Sequence, residues 1–207
     1  MAAGMHRKAA SPAITALLLV QICLGYEWLV SGVTKVAHGD FPAGLSSSLA
    51  EMGKQAPGWY RGLLTDAFES HAVELGYAIE VCEVLLGVVL LGGAILLLAR
   101  GSRLAPRNGE TLQLAIGAAS ILGILLLANF ELANGGGFGL RLASDSFDEG
   151  IDLDTMMIGL HLALLVFALR ALPIRARMRL AVAGRAARPG SPGRAPVRSE
   201  LGRASVG

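Results

Sequence analysis

The chain has 207 residues, 53% hydrophobic and only 16% charged, with a formal net charge of +2. An ordinary soluble domain is roughly 45–50% apolar and ~25% charged, so that class is set aside at once. Two cysteines, Cys23 and Cys82, with no CxxC and no Cys/His cluster, give no sign of a disulfide framework or a metal centre.

The apolar residues gather in four blocks, residues 14–33, 73–99, 112–130 and 156–172. Each approaches the ~20 residues that a membrane-spanning helix needs. The sequence therefore predicts an all-α membrane protein, a four-transmembrane-helix bundle over 14–172. A basic lead (1–13) precedes it and an Arg/Pro/Gly-rich tail (173–207) follows. Arg7 and Lys8 before the first block would suit a signal peptide. The long run, the missing small-residue cleavage site and Glu27 within it favour a first span instead.

Charge is distributed unevenly. Segments 1–12, 100–110 and 170–207 hold two, three and nine Lys/Arg, against the acids Glu110 and Glu200. Segments 35–74 and 131–155 hold four Lys/Arg and eleven acids. By the positive-inside rule both termini are expected in the cytoplasm of a multi-pass plasma-membrane protein, with two acidic loops facing outward.

On the first span Cys23, Glu27, Ser31 and Thr34 fall within roughly 60° of one another at ~100° per residue. They form one polar stripe, with Trp28 beside it and Lys35 two turns beyond Glu27. An ionisable residue at mid-bilayer costs at least ~2.5–3.5 kcal/mol on insertion scales. Glu27 is thus either a functional group or one half of a pair, with Lys35 or a neighbouring helix, that orients the bundle. The outer loop 36–72 is too long and too patterned for a plain connector. Trp59 and Tyr60 are expected at the membrane–water interface, as an anchor or as part of a lid over the bundle's outer mouth.

The second span places Glu80 and Glu83 three residues apart, on one face. Gly76 and Gly87 lie near that stripe, and Gly87, Gly92 and Gly93 suit close helix contacts. A desolvated carboxyl here would exchange a proton or donate a hydrogen bond. The third span has only Gln113, Gly117, Ser120 and Gly123 to break its apolar surface, and ends at Asn129, Glu131 and a Gly135–Gly137 run without phosphate-loop context. In the last loop Asp145, Asp148, Glu149, Asp152 and Asp154 lack a calcium-loop pattern and read as a solvated face. His161 is the one histidine at membrane depth, so a haem held between two histidines is not expected. Arg170, Arg175, Arg177 and Arg179 suit anionic head groups, worth ~1 kcal/mol each. They require no nucleic acid.

Tyr26-Glu27-Trp28-Leu29-Val30-Ser31-Gly32, then Thr34-Lys35 and Gly39-Asp40-Phe41-Pro42, resemble the start of DoxX/DoxD-type membrane proteins. Trp59-Tyr60 and the second span from Glu80 to Gly87 are similar to that group as well. The resemblance covers roughly residues 14–172. It implies a four-helix protein that in some members is a subunit of thiosulfate:quinone oxidoreductase, which passes electrons from thiosulfate to a membrane quinone and yields tetrathionate. No haem, flavin, iron–sulfur or metal motif accompanies it. Fold likeness does not by itself fix an activity.

Three functions are open at this point. In a quinone-linked oxidoreductase subunit, Glu27, Glu80, Glu83 and His161 would line a polar cavity, bind a quinone carbonyl and relay protons. Lys35, Arg61, Trp59 and Tyr60 would then form the substrate mouth. In a non-catalytic anchor or assembly subunit for a second redox protein, the buried charges would hold helices together. In a transporter of a small solute or proton, paired acids would mark the path. The lipid bilayer is a partner in all three, and a homo-oligomer is compatible with each.

Overall fold

The computed structural model describes residues 12–100, 105–136 and 153–172. All of them belong to the first of two compact units, Met1–Pro173. The basic lead, most of the acidic loop with Asp145, Asp148, Glu149 and Asp152, and the Arg-rich tail lie outside the described residues.

Every described element is helical. Helix α1 runs Pro12–His38, α2 Phe41–Gln55 and α3 Gly58–Gly62. A π-helical turn, Leu63–Phe68, and a 3-10 turn, Glu69–His71, lead into α4, Ala72–Arg100. Helix α5 runs Pro106–Ala133 and α6 Leu153–Ala171. Helices α1, α4, α5 and α6 are each long and apolar enough to cross a membrane, which makes this a multi-pass membrane protein. They match the four apolar blocks and extend most of them by a few residues at each end. A composition criterion misses those polar first and last turns.

The bundle is built from two helix pairs, α1 with α4 and α5 with α6. The first pair is close because glycines remove side chains at the crossing. A Cβ on Gly25 would lie 2.5 Å from the Leu91 nitrogen, and one on Gly87 2.6 Å from the Leu29 Cα. Gly32 meets Val84 in the same way. Small residues let helix backbones approach where lipid offers no hydrophobic drive. Gly92 has open space around it and takes no part in the crossing. Leu24, Trp28, Leu86, Leu90, Ile116 and Leu164 form the core where the pairs meet.

The segment between α1 and α4 is itself folded. Phe41, Leu45, Leu49 and Met52, spaced by three or four, give α2 an inward apolar stripe, while Ala43, Gly44, Ser47, Ser48 and Glu51 are exposed. Such spacing puts apolar residues on one face of a helix. Asp40 precedes α2, and Pro42 sits in its first turn, where a missing N–H does no harm. Pro42 packs on Gly76 at the start of α4, with 2.5 Å from its Cα to a Cβ built there. A second core cluster, with Leu45, Leu49, Tyr60, Leu64 and Ile79, fixes this cap to the ends of α4 and α5.

The glycines after α5 have local reasons. Gly135 takes a left-handed φ of 71° with the Gln55 carbonyl against it. The Glu131 carboxylate fills the space where a Gly136 side chain would stand. Close approach, rather than flexible backbone, accounts for these two positions.

Candidate functional site

Beneath the cap, α1, α2, α3, α4 and α5 enclose a cavity of about 290 Å³. Its wall is mostly aliphatic and aromatic, including Phe41, Leu45, Phe68, Ile79 and Phe130. Besides the Ser48 hydroxyl, which donates to the Gly44 carbonyl, two polar features interrupt it. One is the Lys35 ammonium, 5.2 Å from the centre of the Phe41 ring. The other is Tyr60 with Asn129, where the phenol donates a 2.7 Å hydrogen bond to the amide oxygen. The Asn129 amide nitrogen in turn donates to the Leu125 carbonyl, which fixes the amide's orientation.

Lys35 is held from behind. Its Nζ lies 2.7 and 2.6 Å from the two carboxylate oxygens of Glu83, on α4, and donates to Ser31 Oγ at 2.7 Å. Ser31 Oγ donates to Glu83 Oε2 at 3.1 Å. Glu83 is 1% exposed, whereas the Lys35 side chain keeps 24% and reaches the cavity. A buried carboxylate is tolerable only when paired and hydrogen-bonded, and α1 delivers both partners one turn apart. The arrangement presents one cationic donor to a mostly apolar chamber.

Glu80 follows on the same helix, buried, with its Oε1 lacking a hydrogen-bond partner. Deeper in the bundle Trp28 and His161 form a separate pair. The indole N–H donates to His161 Nε2 at 2.8 Å, which assigns the imidazole proton to Nδ1 when the ring is neutral. His161 has no solvent exposure, and its Nδ1 makes no hydrogen bond. Gly123 opposite leaves it room, since a Cβ there would come within 2.6 Å of the ring. Nearer the far end, the Gln21 side chain donates to the Leu90 carbonyl at 2.8 Å.

The expected site residues are therefore divided. Lys35 and Tyr60 line the cavity, Glu83 stands directly behind Lys35, and Glu80 is buried one turn away on α4. His161 is buried on another layer and bonds to Trp28, not to a carboxylate. Glu27 leaves the group altogether, because its side chain is exposed on the outside of α1. The cation nearest in sequence, Lys35, pairs with Glu83 instead. Trp59 points outward at 74% exposure. Arg61 is exposed, outside the cavity wall, and donates to the Ala56 carbonyl at 3.3 Å, bracing the end of α2. Cys23 and Cys82 are both free thiols, the first exposed and the second partly covered. Among the described residues no group of three or more His, Cys, Asp or Glu is placed to hold a metal ion.

Sequence reasoning missed Asn129 and Phe41, both in the cavity wall. For Phe41 the signal was present, in the i, i+4 spacing of Phe41, Leu45 and Leu49. Asn129 stood at the end of a featureless span, with nothing to connect it to Tyr60, 69 residues away.

Fold and site together define a multi-pass helical membrane protein whose helical cap closes an apolar cavity beside a buried ion pair. No family model, curated protein or solved structure matches the chain.

Proposed function

We propose that this is an integral membrane subunit of a quinone-linked redox system of the DoxX/DoxD kind, with thiosulfate as the electron source. The observation that carries the reading is the cavity. An apolar chamber of about 290 Å³ with one ammonium in its wall suits a lipid-soluble ring bearing carbonyl oxygens. Ligand sites of this type are mainly apolar, with a few placed polar groups to orient the guest.

Lys35 would donate to one quinone oxygen, and Phe41, Leu45 and Phe130 would pack the ring. Reduction of the quinone takes two electrons and two protons and gives the quinol. Oxidation of two thiosulfate ions to one tetrathionate releases those two electrons. An ammonium already in place stabilises the negative charge that builds on the oxygen, without reorganisation during the step. Lys35 would pass one of the two protons to that oxygen as general acid, and water at the outer face would supply the other. Glu83 and Ser31 hold the amine against the cavity wall and favour its reprotonation. With both termini cytoplasmic, the cap and cavity face the outer side of the plasma membrane, where thiosulfate arrives.

The test is thiosulfate-dependent quinone reduction by the protein in liposomes, run alongside photolabelling with an azidoquinone. Turnover that falls at least about a hundredfold in Lys35→Met, the lower end for loss of a general acid, supports the assignment. Labelling should map to α2 and the cap end of α5. Labelling elsewhere, or turnover unchanged by Lys35→Met, refutes it.

A further inference from the structure

Glu27 lies ~16 Å along α1 from His38 at a rise of ~1.5 Å per residue. Half the thickness of a ~30 Å hydrocarbon core places it near mid-bilayer. It faces out of the bundle. Tyr26, Val30 and, one turn earlier, Cys23 share its exposed side, while Gly25, Trp28 and Gly32 turn inward. A carboxyl in that position meets lipid tails unless another helix covers it, and intramembrane acids normally face protein or a polar cavity.

The described residues offer it no counter-charge. Among the described residues of the four spans, Lys35 is turned inward to Glu83, and Arg100, Arg107 and Arg170 stand at the far ends of their helices. A second copy inserted in the same orientation repeats those charges at the same depths. At mid-bilayer it would bring Glu27 only another Glu27.

We propose that Glu27 marks an intramembrane docking face for a transmembrane helix of a different protein, one carrying a lysine or arginine near mid-bilayer. The attraction between opposite charges grows as water is excluded, and the small Cys23 one turn away allows close approach. This surface is on the outside of α1 and does not depend on what occupies the cavity.

The probe is a synthetic polyleucine transmembrane peptide with a single central lysine, compared with the same peptide lacking it. Association with the labelled full-length protein is read by energy transfer in phosphatidylcholine vesicles. The lysine peptide should associate at an about threefold to tenfold lower peptide-to-lipid ratio, the effect of one polar contact between membrane helices. Moving the lysine two turns toward either end should remove that preference on the unaltered protein. Glu27→Gln should remove it as well, and Glu27→Asp should retain part of it. Equal association of both peptides overturns the proposal, as does a preference that survives Glu27→Gln. Glu27-dependent dimers in vesicles without peptide would also overturn it, by assigning the face to a second copy.

Discussion

Lys35 on α1 and Glu83 on α4 make contact at 2.6 Å, with one partner almost wholly buried and the other open to a cavity. The pair joins the packing of the bundle to the chemistry of its chamber. Removing Lys35 leaves Glu83 as an uncompensated buried charge. Lys35→Met should lower stability by ~3–5 kcal/mol, Glu83→Leu by less because the Lys35 side chain keeps its exposure, and the double Lys35→Met/Glu83→Leu variant by clearly less than the sum. Reversible unfolding in mixed detergent–SDS micelles measures all three. Additive losses would mean that the two side chains do not act as a pair.

The glycine crossing gives a sharper contrast. Gly87→Leu inserts a side chain where the Leu29 backbone already stands. Overpacking of this kind costs ~1–3 kcal/mol or more, and the α1–α4 contact should loosen. A cysteine crosslink engineered between those helices should then form more slowly. Gly92→Ala, with no atom in reach, should leave crosslinking unchanged and raise stability by at most ~1 kcal/mol.

Trp28→Phe keeps an aromatic ring and removes the N–H that His161 Nε2 accepts. A buried acceptor left without its donor costs ~1–3 kcal/mol. His161→Phe in addition should recover much of that loss, because both polar atoms are then gone. The double-mutant cycle is the measurement, and a coupling near zero would contradict the hydrogen bond.

Tyr60 and Trp59 are neighbours with opposite expectations. Tyr60→Phe removes the bond to Asn129 and should weaken the cap by ~0.5–1.5 kcal/mol. Amide exchange should rise across Phe41–Gln55 while the spans stay protected. Trp59→Ala, on an exposed ring, should change stability by less than ~0.5 kcal/mol.

The sequence announced the four spans because twenty apolar residues in a row have few other stable homes. Glycines at the α1–α4 crossing were partly legible for a related reason, since Gly87 stood on the same stripe as Glu80 and Glu83. The partnering of charges was not. Helical periodicity correctly placed Glu27, Ser31 and Cys23 on adjoining parts of α1, but it cannot say which part meets another helix. Ser31, at the edge of that stripe, turned in to Glu83, and Glu27 turned out. A lid over the outer mouth was legible in the length and patterning of residues 36–72, but its helices were hidden for a different reason. Its apolar positions, Leu45 and Leu49, are diluted by serines and glycines, so the segment looked like a patterned loop and not a docked helix. The contact of exposed Arg61 with the Lys54 and Ala56 carbonyls depends on the turn between α2 and α3, which no residue spacing announces.

The Lys35–Glu83 pair also bears on how the protein is made. Its two halves are separated by 48 residues, so Lys35 leaves the ribosome well before the carboxylate that neutralises it. During that interval the Lys35 ammonium, in the last turn of α1, reaches the interfacial water. It is drawn beneath the cap and paired only once α4 has been synthesised. The α1–α4 contact should therefore form after both helices have inserted.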